Sequence, residues 1–137
     1  MGELANFLKK MGAKIQGIGT DVLIIDGVKE LKPAEHVIMA DRIEAGTLMV
    51  AAGITQGNLK LLNCNLHQME AVVAKLREAG SEIFLAGDGV KVIGPVNIKA
   101  VDIKTIPYQG FPTDLQAQIM SLMCMASGLS VITETIF

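Results

Sequence analysis

Few side chains in this 137-residue chain are placed to do chemistry, and the most promising is a single carboxylate. Asp114 stands in the stretch Phe111-Pro112-Thr113-Asp114-Leu115-Gln116-Ala117-Gln118, where the Pro-Thr turn leads into a helix. A carboxylate held at a fixed backbone position can take a proton from a weakly acidic group. The local alternative is structural. Thr113 and Gln116 have the T-x-x-Q spacing of a capping box, and an acidic residue in a helix's first turn stabilises it by about 0.3–1 kcal/mol. The residues alone favour that structural reading. The same helix end weakens a carboxylate as a base, so a bound substrate would have to offset this by burying it.

The remaining reactive side chains argue against other chemistries. Cys64 and Cys124 are too far apart in sequence for a C-x-x-C pair or a zinc pattern. They read as reduced thiols with small-residue packing roles. His36 and His67 fall in connecting segments, with no partner at metal-ligand spacing, so no metal and no cofactor is expected. Arg42 and Glu44 open a helix and read by default as a solvated ion pair. Met120, Met123 and Met125 lie on one helix and read as core filling.

The elements that must position Asp114 show themselves as an internal repeat. Leu8 to Val28 (LKKMGAKIQGIGTDVLIIDGV) aligns without a gap on Leu76 to Val96 (LREAGSEIFLAGDGVKVIGPV). Leu8, Gly12, Ile15 and Gly19 fall on Leu76, Gly80, Ile83 and Gly87, and Val22, Ile24 and Ile25 on Val90, Val92 and Ile93. Each copy begins with an amphipathic helix, the faces being Leu4, Leu8 and Met11, then Leu66, Met69, Val73 and Leu76. Gly12 and Gly80 sit where a helix ends in a left-handed residue. A hairpin follows, turning at Gly19-Thr20-Asp21 or at Gly87-Asp88-Gly89.

The repeat continues less regularly. Asp41 to Ile54 and Thr113 to Ala126 read as helices, each leading through Gly57 or Gly128 into a strand, Leu59 to Leu62 or Leu129 to Thr133. The unit is helix, strand, strand, connecting strand, helix, strand, present about twice. Such a unit is too long for the common helical or propeller arrays and suits an α/β module with sheet on one side and helices on the other.

Composition sets the outer limits. Apolar residues make up 50% and charged residues 19%, which excludes disorder. The net charge is −2 and the 12 basic residues form no stripe, so nucleic acid is not an expected partner. Aromatic residues are 4% with no Trp, too few for stacking platforms. Hydropathy is positive on average. Yet the apolar runs Leu48 to Ile54 and Ile119 to Ile132 fall short of the roughly 20 residues that span a bilayer. The beginning, Met1-Gly2-Glu3-Leu4-Ala5-Asn6, has neither a signal-peptide pattern nor a myristoylation signal. A soluble cytoplasmic protein without membrane contact is expected.

Four stretches resemble the bacterial UDP-N-acetylglucosamine enolpyruvyl transferase family. They are Asp41-Arg42-Ile43-Glu44-Ala45-Gly46-Thr47, Ala74-Lys75-Leu76-Arg77-Glu78-Ala79-Gly80, the Phe111 to Gln118 stretch, and Ile132-Thr133-Glu134-Thr135-Ile136-Phe137. Their order and spacing match across essentially the whole chain, and the third is the most specific. The resemblance implies transfer of the enolpyruvyl group of phosphoenolpyruvate to the 3-hydroxyl of UDP-N-acetylglucosamine, with release of phosphate. That reaction commits the sugar to peptidoglycan, and through it to cell wall biogenesis, cell shape, the cell cycle and division. It also implies a partial inside-out α/β barrel of about two repeated βαβαββ-like units, taken from a fold of two lobes around an active site.

Carried over residue by residue, the resemblance makes Asp114 the catalytic group that contacts the sugar hydroxyl and takes its proton, with Thr113 beside it in the substrate site. Ile136 and Phe137 match the nucleotide-sugar contact after a strand; their local reading is ordinary strand packing. Residues 1–38 would be the tail of one lobe and 39–137 the opening of the other, able to pack as a single unit in isolation. The family's Lys-Asn pair, its mobile Cys loop and its phosphate-binding arginines have no match here. The chain alone is therefore expected to be inactive, to bind the UDP-sugar weakly or not at all, and to self-associate through uncapped repeat faces. The rival readings are a shikimate-type enolpyruvyl transferase and a non-catalytic folding or binding module.

Overall fold

A computed structural model describes residues 2–137. The chain divides into two compact units, Met1–Met39 and Ala40–Phe137.

In the first unit, helix α1 (Gly2–Lys10) leads into an antiparallel pair, β1 (Lys14–Gln16) and β2 (Ile24–Asp26), in register through Ile15 and Ile25. Glu3 in the first turn of α1 and Lys9 and Lys10 in its last suit the helix dipole. Gly12 ends the helix at φ 102°, where a Cβ would be strained, and Ala13 N–H donates back to Leu8 O at 3.0 Å. Ala5 and Ile15 form its small interior. His36 Nε2 lies 2.7 Å from Glu3 Oε1, and its ring centroid is 5.0 Å from that of Phe7. The connecting histidine thus ties a later segment to the first helix.

The second unit holds the main core. Helix α2 (Arg42–Ile54) starts at an Asp41 cap whose Oδ1 accepts from Ile43 N–H at 2.7 Å. Strand β3 (Asn58–Leu62) follows, then a 3-10 turn (Leu66–Gln68) and helix α3 (Glu70–Glu78). Strands β4 (Glu82–Ala86) and β5 (Gly89–Ile93) form the hairpin whose Asp-Gly turn the sequence announces. Three antiparallel strands lie in the order β3-β5-β4. Leu61, Ile83, Val90 and Val92 turn inward from this sheet onto Met49 and Val50 of α2 and Val72, Val73 and Leu76 of α3.

Strand β6 (Ile103–Lys104), a second 3-10 turn (Thr113–Leu115), helix α4 (Gln116–Met123) and strand β7 (Ile132–Thr133) complete the unit. Strands β6 and β7 pair in parallel, Ile103 with Ile132 and Lys104 with Thr133. Helix α4 buries Ile119, Leu122 and Met123 against α2. Two glycines permit that approach. A Cβ on Gly46 would come within 2.5 Å of Leu115 Cδ1, and one on Gly53 within 3.3 Å of Leu122 Cδ1. They are seven residues apart, two turns along one face.

The structure corrects several expectations. There is no capping box: Pro112 precedes the 3-10 turn, no side chain caps it, and Thr113 uses its hydroxyl elsewhere. The helix expected over Thr113 to Ala126 is therefore a 3-10 turn followed by a shorter α4. The repeat recurs as helix, hairpin, helix and strand, but the connecting strand expected before α2 is absent and the closing strands take different partners. Strand β3 joins the hairpin sheet, whereas the short β7 joins β6, and no strand lies between β2 and α2. Only Met123 of the three clustered methionines is core; Met120 is 45% and Met125 64% exposed. Cys124 is exposed, while the partly buried Cys64 lies against the core with its thiol pKa raised by desolvation. Arg42 makes no ion pair with Glu44; its guanidinium lies 5.6 Å from the Tyr108 ring centroid.

Candidate functional site

The Asp114 turn is pinned from both sides by apolar anchors. Phe111 and Leu115 are almost fully buried, Leu115 against Gly46 of α2. Pro112 between them is buried and in extended geometry, at φ −73° and ψ 138°. With its neighbours turned inward, Asp114 is left exposed at the surface. The chain reaches this turn through a tight reversal, in which Gly110 N–H donates to Pro107 O at 2.8 Å and Ile106 N–H to Phe111 O at 3.2 Å.

Thr113, the residue before Asp114, points to the opposite strand end. Its hydroxyl donates to Glu134 Oε2 at 2.7 Å. The other carboxylate oxygen, Oε1, accepts from the Thr105 hydroxyl at 2.8 Å and from Ile136 N–H at 2.6 Å. These donors hold the Glu134 carboxyl well below its ordinary value, at about 2, the Thr113 hydroxyl and the Ile136 amide first among them.

Thr105 anchors the cluster. It is fully buried at the end of β6, and its N–H donates to Thr133 O at 3.0 Å, extending the β6–β7 pairing. Its hydroxyl also accepts from Thr135 N–H at 3.0 Å, while the Thr135 hydroxyl donates to Thr105 O. The buried hydroxyl thus satisfies its donor and one of its two acceptor sites. The β6–β7 end and the Asp114 turn are thereby bonded through side chains.

Ile136 and Phe137 lie just past this knot. Both lie beyond β7, which ends at Thr133, and both are exposed in this chain. Ile136 is held by its backbone, through Glu134. The candidate residues thus form one connected set: Thr113 and Asp114 on one side, Ile136 and Phe137 on the other. Glu134 and Thr105, to which the sequence reading assigns no role, lie between. Glu134 stands inside the fourth motif stretch, but its partner Thr113 is 21 residues away, and only tertiary structure brings them together. Among the described residues, no three His, Cys, Asp or Glu side chains gather as metal ligands. No helix of the described residues is long and apolar enough to cross a membrane.

A family model described as EPSP synthase (3-phosphoshikimate 1-carboxyvinyltransferase) matches residues 2–137. The UDP-N-acetylglucosamine 1-carboxyvinyltransferase of Geotalea daltonii is 57% identical over 135 residues, which is 98% of this chain and 32% of the relative. The UDP-N-acetylglucosamine 1-carboxyvinyltransferase 1 of Caldanaerobacter subterraneus subsp. tengcongensis has the same identity and coverage. The chain thus spans about a third of the length of the curated relatives it matches. In fold, it is similar to the enolpyruvyl transferase NikO from Streptomyces tendae, with a TM-score of 0.74 at 21% identity over 96% of this chain and 32% of that one. EPSP synthase from Acinetobacter baumannii gives a TM-score of 0.52 at 18% identity, with the same coverage.

Proposed function

The chain belongs to the EPSP synthase family, and from that premise we propose that the protein it represents is a UDP-N-acetylglucosamine enolpyruvyl transferase. It would move the enolpyruvyl group of phosphoenolpyruvate to the sugar's 3-hydroxyl and release phosphate, serving peptidoglycan synthesis. The observation that carries this reading is the 57% identity to named UDP-N-acetylglucosamine 1-carboxyvinyltransferases, sustained over 98% of the chain. That likeness also favours the nucleotide sugar over shikimate 3-phosphate as the acceptor.

In this reading Asp114 takes the proton of the acceptor hydroxyl. A sugar hydroxyl is a very weak acid, so its attack on the enolpyruvyl carbon needs a positioned acceptor. The turn fixes that position, since buried Phe111 and Leu115 leave Asp114 outside. Thr113 stands beside it, and Ile136 and Phe137 supply an exposed apolar contact suited to the nucleotide part. The two compact units are read as parts of different lobes of an inside-out α/β barrel, in keeping with the division after Met39.

The test is phosphate release by the product of the complete reading frame. Release that requires both phosphoenolpyruvate and UDP-N-acetylglucosamine supports the proposal. Release with shikimate 3-phosphate in place of the UDP-sugar moves the protein to the sister reaction, and release with neither acceptor refutes it. The 137-residue chain alone should release none, because no residue of it matches the family's Lys-Asn pair, Cys loop or phosphate-binding arginines. Each such group contributes orders of magnitude in rate.

A further inference from the structure

We propose that Glu134 is a positioning residue, holding the Asp114 turn and the Ile136–Phe137 segment in one arrangement around the acceptor substrate. This inference rests on the enolpyruvyl-transfer reading above. Its ground is how the carboxylate divides its bonds. Oε2 accepts from the Thr113 hydroxyl at 2.7 Å, next to Asp114, while Oε1 accepts at 2.6 Å from Ile136 N–H, two residues on in Glu134's own segment. A third donor, the fully buried Thr105 hydroxyl at 2.8 Å, ties Oε1 to the end of β6. One side chain therefore spans the two candidate contacts and fixes both to the sheet.

The chemistry asks for a glutamate in this place. All three donors point inward, so the centre must be an acceptor on both sides, which an ionised carboxylate is and an amide is not. A glutamine could keep Oε1 for Ile136 and Thr105, but its NH2 would face Thr113, whose hydroxyl would have to turn over. An aspartate is a methylene shorter and would lose one side or the other. Hydrogen bonds to an ionised acceptor are also shorter and stronger than neutral ones, which suits a part that must not drift. A displacement of about 1 Å at a catalytic group can cost roughly 100-fold in rate.

The test uses steady-state kinetics of the full-length protein with phosphoenolpyruvate and UDP-N-acetylglucosamine. Thr113→Val removes only the link to the Asp114 side. It should lower kcat about tenfold, and Thr113→Ser should restore most of the loss. Glu134→Ala frees both segments, so kcat should fall and the KM for the UDP-sugar should rise, each about tenfold. If Thr113 acts through Asp114, Thr113→Val should add less than about twofold in an Asp114→Asn background.

Near-normal kcat in Thr113→Val, a loss that Ser does not restore, or full multiplication of the two effects would each overturn the inference. In all three cases a large drop in Asp114→Asn would leave the enolpyruvyl-transfer reading standing. No transfer by the unmutated protein would overturn both. Should Glu134→Ala fail to fold, Glu134→Gln replaces it, with a loss in kcat expected and an unchanged kcat counting against the role.

Discussion

Asp114 and Glu134 are two carboxylates with opposite surroundings, and the difference predicts opposite behaviour on substitution. Asp114 is exposed and caps nothing through its side chain, so Asp114→Asn should change stability by no more than about 1 kcal/mol. Turnover of the full-length protein should nevertheless fall by roughly 100-fold, the usual size of a general-base contribution. Near-normal turnover would reduce Asp114 to a surface residue. Glu134 is the structural acid of the pair. Its carboxyl is held at about 2, below the ordinary 4.5, chiefly by Thr113 and Ile136. A depressed pKa adds stability that is fully present above the ordinary value and is lost as pH falls through the folded one. The difference in melting temperature between the unmutated chain and Glu134→Gln should be constant at neutral pH. It should then shrink as pH drops from about 5 to about 2. A difference that stays flat across that window would mean that the ionised form is not preferentially held.

Among the elements, the contact between α2 and α4 decides whether the Asp114 turn stays in place, because Leu115 serves both. It closes the 3-10 turn and also fills the space over Gly46. Gly46→Val would put a branched side chain where even a Cβ meets Leu115 at 2.5 Å. Overpacking of this kind costs about 1–3 kcal/mol, and a better helix propensity returns only a few tenths to 1 of that. Chemical denaturation should register the loss, and turnover should fall with it as the turn is displaced. Gly53→Ala, where the Cβ approach to Leu122 is 3.3 Å, should be much milder. Equal effects at the two sites would show that α4 tolerates displacement and that Leu115 does not set the turn. The hairpin elements are more self-sufficient. Gly80 at φ 109° ends α3, and Ser81 N–H donates back to Leu76 O at 2.9 Å, the same closure that Gly12 provides after α1.

At the scale of the molecule, each unit leaves apolar side chains in water. The first exposes Val22, Ile24 and Ile25 on or beside a two-stranded ribbon, together with Val37 and Ile38. A ribbon of that size is marginal by itself. The second exposes Leu62, Phe84 and Leu85 on its sheet, and Leu129 and Val131 before β7. Exposed apolar side chains in this number favour contact with another surface. The 137-residue chain should therefore self-associate, and sedimentation at high micromolar concentration should show species above the monomer. Ile25→Lys should weaken that association without unfolding the second unit. A strictly monomeric chain would mean that these side chains are adequately solvated as they stand.

How far the sequence reached follows from the range of the interactions involved. Helix ends at Gly12 and Gly80, the Asp88 turn and the inward face of α3 were legible because each depends on neighbours a few residues away. The motif stretches were legible for another reason: a residue pattern identifies a family without any account of its contacts. The T-x-x-Q pattern misled because Thr113 had a stronger acceptor available than its own helix, a charged oxygen 21 residues on. The methionine cluster misled because Met120 is not on the buried face of α4 formed by Ile119, Leu122 and Met123, and α4 stops at Met123, leaving Met125 outside. The closing strands of the two copies differ in partner because strand partners are chosen by the sheet. Strand β3 pairs with β5, and β7 with β6. By itself, then, the sequence determined the local elements and the identity of the likeness. The joining of Thr113 and Thr105 to Glu134 belonged to the tertiary structure, since a carboxylate that takes two hydroxyls from 21 and 29 residues away has no signature at any fixed spacing along a chain; only its bond to the Ile136 amide is local.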